Sequence, residues 1–301
     1  MNRDKLKEFI QGTPAPIPTP FDENYHLDLS RLTDMTQWWV ERGLGTNTTA
    51  IKVMSAMGQG PDISDDEWPH LLRTVVNAAG SNATVLCALK VKNTLHTIDD
   101  ARRAQDLGAV GLQIDLPFFH HPDQDTNVRH FTAISDAIDI GIMIYNTHWF
   151  CSDPAEEYVN AETMLRLKDA KQVVAIKWSI PDGEDYDQMK LFSDHFNVID
   201  NWGDKVRCHQ NGGRGYISGI IPAYPKHDME LWQLLESRRY DEARALGDRI
   251  SRAFKSGGGS PRPMFAAMGI PIGPPRPPQL SPDDKQILAA RKAMVELGWL
   301  Q

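Results

Sequence analysis

Eight short, near-continuous runs of apolar and β-branched residues recur along this chain, and few architectures can bury that many on both faces. They cover residues 15–18, 50–54, 84–89, 110–116, 141–145, 173–178, 196–199 and 215–221. Each is about strand length and lacks the polar alternation of a half-exposed strand, as expected of parallel strands covered on both faces. Helix-like segments lie between most of them, over 30–42, 65–79, 97–107 and 128–137. Ser64 with Glu67 reads as a capping box. Asp99 and Asp100 suit the positive end of a helix dipole. Gly43, Gly80 and Gly108 stand where helices should stop. Eight strand–helix alternations predict an α/β fold of the (β/α)8 TIM barrel class. An open doubly wound sheet usually carries a Gly-rich turn after its first strand, and Thr19-Pro20-Phe21 stands there instead.

Beyond Ile221 the pattern turns helical, over 228–238, 240–254 and 282–297. The stretch 256–260 with Pro261 and Pro263 reads as a loop, and 271–278 is too rich in proline for a regular helix. The expected organisation is a barrel over 1–225 and a C-terminal helical extension over 226–301 packed on it. A length of 301 residues suits that arrangement, since such barrels take about 250.

Net charge is −8, which disfavours nucleic acid and anionic membranes as partners. No run of roughly 18 apolar residues is present to span a bilayer. The opening MNRDKLKEFI lacks the apolar core of a signal peptide. Cys87, Cys151 and Cys208 are dispersed, with no C-x-x-C pair, which suits a reducing cytoplasm. The N-x-T tripeptides at Asn47 and Asn82 are then coincidental. His120, His121 and His148 show no metal-ligand spacing, so no metal site is expected. No phosphate loop is present, so no nucleotide cofactor is expected.

In a βα barrel the reactive groups stand at the C-terminal ends of strands. The sixth run delivers Lys177 out of an apolar strand. Burial penalises an ammonium and favours the amine, the form that attacks a carbonyl. A lysine snorkelling to solvent is the competing reading, and the pattern alone does not separate the two. The fifth run ends in Tyr145-Asn146, one strand away, within reach for proton transfer, although a half-buried structural tyrosine reads the same. The small residues of Ser55-Ala56-Met57-Gly58-Gln59-Gly60 let backbone N–H groups point at a carboxylate. Ser179 lies two residues past Lys177, on the same side, and suits a substrate hydroxyl. Of Lys90 and Lys92, alternation turns one toward the barrel axis, although charged side chains are mostly exposed.

At these residues the chain resembles the dihydrodipicolinate synthase / N-acetylneuraminate lyase family of class I aldolases. Ala15-x-x-x-Thr19-Pro20-Phe21 resembles that family's opening A-x-x-T-P-F. Ser55 to Gln59, followed by Pro61 and Ser64, falls on its G-[ST]-T-G-E segment. Pro117-Phe118-Phe119 falls on P-x-Y, Ile144-Tyr145-Asn146 on its Y-N strand end, and Lys177-Trp178-Ser179 on K-x-[ST]. The run 215–221 resembles the glycine-containing eighth strand, which puts Gly219 among the substrate-binding candidates.

The resemblance implies Lys177 as the Schiff-base residue for pyruvate or another small 2-oxo acid, and Tyr145 as the proton carrier. It implies Ala56, Met57 and Gly58 as the carboxylate cradle, and a homo-oligomer, dimer or tetramer. The departures are specific. Ala56-Met57 replaces a threonine pair, Gln59 a glutamate and Phe119 a tyrosine lent to a neighbouring subunit, and Thr147-His148-Trp149-Phe150 lacks the family's arginine. They point away from dihydrodipicolinate synthase and neuraminate lyase activity, toward a divergent carbon–carbon lyase with a less polar pocket. A dehydratase of a 2-keto-3-deoxy acid using the same imine, and a catalytically silent 2-oxo-acid-binding barrel, are the alternatives.

Overall fold

Each of the eight apolar runs holds a strand in the computed structural model, which describes every residue except Asn47, Asn82 and Trp202 and, inside one short helix, the side chains of Pro154 and Ala155. The two N-x-T asparagines thus lie outside the described residues. The strands are β1 (Thr13–Pro16), β2 (Thr49–Val53), β3 (Val85–Ala88), β4 (Gly111–Asp115), β5 (Gly141–Tyr145), β6 (Val173–Trp178), β7 (Asn197–Asp200) and β8 (Gly215–Tyr216). They follow one another in sequence order in a single sheet, with a helical segment after every strand. That is the expected (β/α)8 barrel fold with helices appended at its C-terminus.

Two expectations are corrected. The eighth run pairs over two residues only. It leaves the sheet at Ser218, whose hydroxyl donates to the buried Asp228 carboxylate at 2.9 Å. The expected loop around Pro261 and Pro263 instead starts a helix, Arg262–Ala267. Proline fits there because the first turn of a helix has no internal partner for its N–H groups. Among the described residues, no helix is long and apolar enough to cross a membrane.

The chain divides into two compact units. The first comprises Met1–Pro14 and Thr84–Ile217. Its strands pair in parallel from β3 through β8. A helix not foreseen in the sequence, Arg3–Phe9, closes the N-terminal ends of these strands. Leu6 and Ile10 are fully buried there. A Cβ on Gly111 would lie 2.8 Å from Ile10 Cδ1, and one on Gly141 3.0 Å from the same atom. Glycine at both strand starts therefore makes room for the Ile10 side chain. Asn197 donates to the carbonyls of Lys7 and Ile10, both at 2.9 Å, and Arg3 donates to those of Ala170, Lys171 and His195. This end is filled and strapped, so chemistry in this unit is left to the other end of the strands.

The second unit comprises Ala15–Ala83 and Ser218–Gln301. Helices Leu29–Glu41 and Trp68–Ala79 pack together, and Trp39 donates to Pro222 O at 2.8 Å. Phe265 meets both Trp38 and Trp39 edge to face. The two bonds expected of a capping box form, Ser64 Oγ accepting from Glu67 N and Glu67 from Ser64 N, but in the turn before the helix, whose own N-cap is Glu67. Arg276 binds the Glu67 carboxylate with two nitrogens, at 2.8 and 3.0 Å, and the carbonyls of Tyr25 and Asp62.

In the first unit β8 reaches back to Gly12, just before β1, and a Cβ on Gly215 would lie 2.2 Å from Gly12 O. Backbone cannot yield there. Gly215→Ala is expected to cost about 1–3 kcal/mol, as other overpacking substitutions do, read as a lower unfolding midpoint in urea.

Candidate active site

The parallel ladder sets Asp115 beside Tyr145, and Tyr145 beside Lys177. All three stand at or next to the C-terminal ends of β4, β5 and β6. Lys177 Nζ lies 3.2 Å from the centre of the Tyr145 ring, and Lys177 as a whole is only 6% exposed. The amine thus sits on a π-face inside an apolar strand, screened from bulk water. The Tyr145 hydroxyl accepts from Asn201 Nδ2 at 3.3 Å, just past the end of β7. Burial pushes the Tyr145 phenol well above its ordinary pKa, the Asp115 carboxylate adds to this, and the Asn201 bond opposes it. Tyr145 therefore holds its proton at neutral pH and meets a ligand as a donor.

Asn146 fixes this arrangement. It is fully buried; its Nδ2 donates to Val159 O at 3.1 Å and Ser179 O at 3.3 Å, and its Oδ1 accepts from Val159 N at 3.0 Å. Ser179 Oγ in turn donates to Asn146 O at 2.8 Å. Ser179 was expected to meet a substrate hydroxyl. It is instead fully buried with its proton committed to Asn146, so it braces the ends of β5 and β6. Lys92 forms an ion pair with Asp100 at 2.8 Å, which accounts for one of the two lysines after β3.

Within the second unit, the loop after β2 is tightly built. Ala56–Gly58 forms a 3-10 turn. A Cβ on Gly58 would lie 2.4 Å from Ile17 O, and one on Gly60 only 1.7 Å from Met54 O. Thr19 Oγ1 donates to Gly58 O at 2.6 Å. The Gly58 N–H already donates to Ser55 O at 2.9 Å, so of the three expected carboxylate donors only Ala56 and Met57 open the turn. First-turn N–H groups have no internal partner. Ser55 Oγ is buried and has no hydrogen-bond partner among the described residues. A Cβ on Gly219 would strike Met57 Cε at 2.4 Å and Phe254 Cζ at 2.5 Å, so Gly219 is the bare floor under the Met57 side chain. Gln59 bonds the backbone of Arg276 on both sides, N–H and carbonyl, at 3.0 and 2.8 Å. Arg262 is buried against Thr19 O, Gly273 O and Gln59, and burial pushes its guanidinium down to about 10.

The model of the Dihydrodipicolinate synthetase family matches residues 10–295. The chain belongs to that family. A 4-hydroxy-tetrahydrodipicolinate synthase of Exiguobacterium sibiricum is 27% identical over 278 residues, covering 89% of this chain and 92% of the relative. One from a Thermotoga species is 27% identical over 306 residues, covering 97% and 100%. The crystal structure of the Thermotoga maritima dihydrodipicolinate synthase superposes with a TM-score of 0.83 at 26% identity, covering 97% of this chain and 100% of that one. A monomeric dihydrodipicolinate synthase variant gives 0.84 at 25%, covering 98% and 99%. This family member is accordingly an enzyme, a lyase of the dihydrodipicolinate synthetase type.

Of the residues singled out in the sequence, Lys177, Tyr145 and Ser179 come together in one unit, and Ser55, Ala56, Met57, Gly58 and Gly219 in the other. Phe119 stands on the rim of the first group, 71% exposed. Asn201 and Asp115 were missed, although each lies at or next to a strand's C-terminal end, the position that marked Tyr145. Among the described residues, no group of three His, Cys, Asp or Glu side chains stands close enough to hold a metal ion.

Two expectations follow. Asn146→Ala strips the Val159 N–H of its buried acceptor, and an unpaired buried group costs about 1–3 kcal/mol; urea unfolding measures the loss. Glu67 is held down from 4.5 to about 2, chiefly by its bonds to Arg276. A depressed carboxyl stabilises the folded state above its unfolded pKa and loses that contribution as pH falls from 4.5 to about 2. Wild type and Arg276→Met should therefore differ in thermal midpoint at pH 7 and converge toward pH 2.

Proposed function

We propose that the enzyme is a class I lyase in which Lys177 forms an imine with pyruvate or a closely related 2-oxo acid. One observation carries this reading: the Lys177 amine is buried on the face of Tyr145, a protonated phenol. An amine can add to a ketone only as the free base; burial favours that form, against the attraction of the Tyr145 ring face for the ammonium. The Lys177 amine adds to the 2-oxo carbon, and Tyr145 gives its proton to the carbonyl oxygen. Loss of water from the carbinolamine leaves the protonated imine, an electron sink. A proton then leaves the adjacent carbon, or a carbon–carbon bond to that carbon breaks, yielding an enamine. Asn201 and Asp115 act on Tyr145, one holding its oxygen and the other keeping its proton in place.

The proposal also assigns, within the second unit, a carboxylate to the N–H groups of Ala56 and Met57 and the hydroxyl of Ser55, a role that suits an orphaned buried hydroxyl. Self-association into a dimer or tetramer belongs with this reading as well. Asn146 and Ser179 position the lysine and tyrosine without touching substrate.

The test is reduction with borohydride in the presence of pyruvate, followed by intact mass and peptide mapping. The expected result is one pyruvate adduct, on Lys177, absent from Lys177→Ala. Tyr145→Phe should form the same adduct about a hundredfold more slowly, the usual scale for losing a general acid. Folded wild type that gives no adduct with pyruvate or other 2-oxo acids would falsify the imine reading.

A further inference from the structure

We propose that the carbonyl partner of this lyase, the aldehyde released or taken up, carries an aromatic ring that packs against Trp149, Phe150, Phe118 and Phe119. The proposal rests on the imine reading of Lys177 and adds the substrate class. An unbroken run of ring contacts leads outward from the amine. Lys177 Nζ lies on Tyr145, and Tyr145 meets Trp149 edge to face with centroids 5.5 Å apart. Trp149 meets Phe150 at 6.3 Å, Phe150 stacks on Phe118 at 4.9 Å, and Phe118 meets Phe119 at 4.5 Å. These are the separations at which aromatic rings attract beyond simple burial.

The outer members of the run are costly to leave in water. Trp149 is 42% exposed, Phe150 55% and Phe119 71%. Exposed apolar side chains that form one contiguous patch mark a binding surface, whereas single ones do not. Their position selects the occupant. The patch begins at the ring on which the Lys177 amine lies, so whatever covers it is joined to the reacting carbon or stands beside it. Polar alternatives find little to bind. Neither residues 117–123 nor residues 146–151 contain a lysine or arginine, and the nearby His121 is engaged with Glu157 at 3.0 Å. An acidic aldehyde would find no lysine or arginine in these two segments, and a polyhydroxylated one would cover rings without drying them.

The chemistry balances without a further reactant. The enamine carbon attacks the arylaldehyde carbon and forms the new carbon–carbon bond. Tyr145 protonates the aldehyde oxygen, replacing the proton lost from the methyl carbon. Water then hydrolyses the imine, freeing Lys177 and a 4-aryl-4-hydroxy-2-oxobutanoate. The reverse direction releases pyruvate and the arylaldehyde.

The experiment measures kcat/KM with pyruvate and either benzaldehyde or glyceraldehyde, in wild type, Phe119→Ser, Trp149→Ser and Phe119→Tyr, with sedimentation of each. Wild type should prefer benzaldehyde about tenfold or more, the scale on which an apolar pocket discriminates. Both serine variants should lower that ratio, and Phe119→Tyr, which keeps the ring, should preserve it. A wild-type ratio at or below one overturns the proposal. So does an unchanged ratio in both serine variants; if they also dissociate into smaller species, the patch is a contact between copies of the chain. The borohydride experiment separates the two levels. An adduct on Lys177 with no aromatic preference sinks only this inference, and no adduct at all removes the imine reading and this inference together.

Discussion

The register between β5 and β6 is the constraint on which the rest depends. A parallel ladder places Tyr145 directly opposite Lys177, and a slip of one residue would turn one of the two side chains to the other face. The ladder is irregular between Ile142 and Met143, so pairing alone does not hold the register firmly at its start. It is fixed at the far end, where Asn146 and Ser179 exchange bonds across the two strands just beyond Tyr145 and Lys177. Both residues are fully buried, which shields these bonds from competition with water. The asparagine's amide spans three backbone groups at once, a task that neither an aspartate nor an alanine performs.

What happens at the opposite ends of the strands makes that site possible. The helix Arg3–Phe9 brings Leu6 and Ile10 against strand starts emptied of side chains at Gly111 and Gly141. Apolar burial and the Asn197 and Arg3 bonds are thereby concentrated at the N-terminal ends. In this unit the packing that stabilises lies at one end of the strands and the candidate site at the other, as a barrel allows. The other end can then hold residues that stabilise poorly, such as the buried Lys177 and the exposed Trp149, Phe150 and Phe119.

The strands were legible because burial on both faces writes itself as continuous apolar runs, and all eight were found. Their ends were less so. The run at 215–221 reads as one strand, but sequence does not reveal that Ser218 bonds Asp228 and turns away. The helix at Arg262–Ala267 was hidden by its two prolines, which suit a first turn as well as they suit a loop. The short N-terminal helix was missed because seven residues show little periodicity, and its Asn2 cap resembles any exposed asparagine. Within the site, Lys177 and Tyr145 stood out because a charged or phenolic group at the end of an apolar run is conspicuous. Asn201 carried no such signal, because its role depends on which hydroxyl lies across the sheet. Ser179 misled for the converse reason: alternation gives the side of a strand but not the bond already made there.

The departure at Gln59 shows how far a substitution can be read once its neighbours are known. The motif that this loop resembles has a glutamate there, and its loss suggests a missing charge near the substrate. The structure gives Gln59 a different task. Its Oε1 accepts from Arg276 N and from Arg262, while its Nε2 donates to Arg276 O and to Asp62. An amide offers an acceptor and a donor side by side, so it matches both backbone groups of Arg276 at once. A carboxylate would keep the first pair of bonds and lose the second, and it would face a carbonyl oxygen and the Asp62 carboxylate. Gln59 also takes the left-handed backbone conformation, with φ of 59°, a strain offset by these four bonds. The change from glutamate thus belongs to the way this loop is tied to the chain around Arg276.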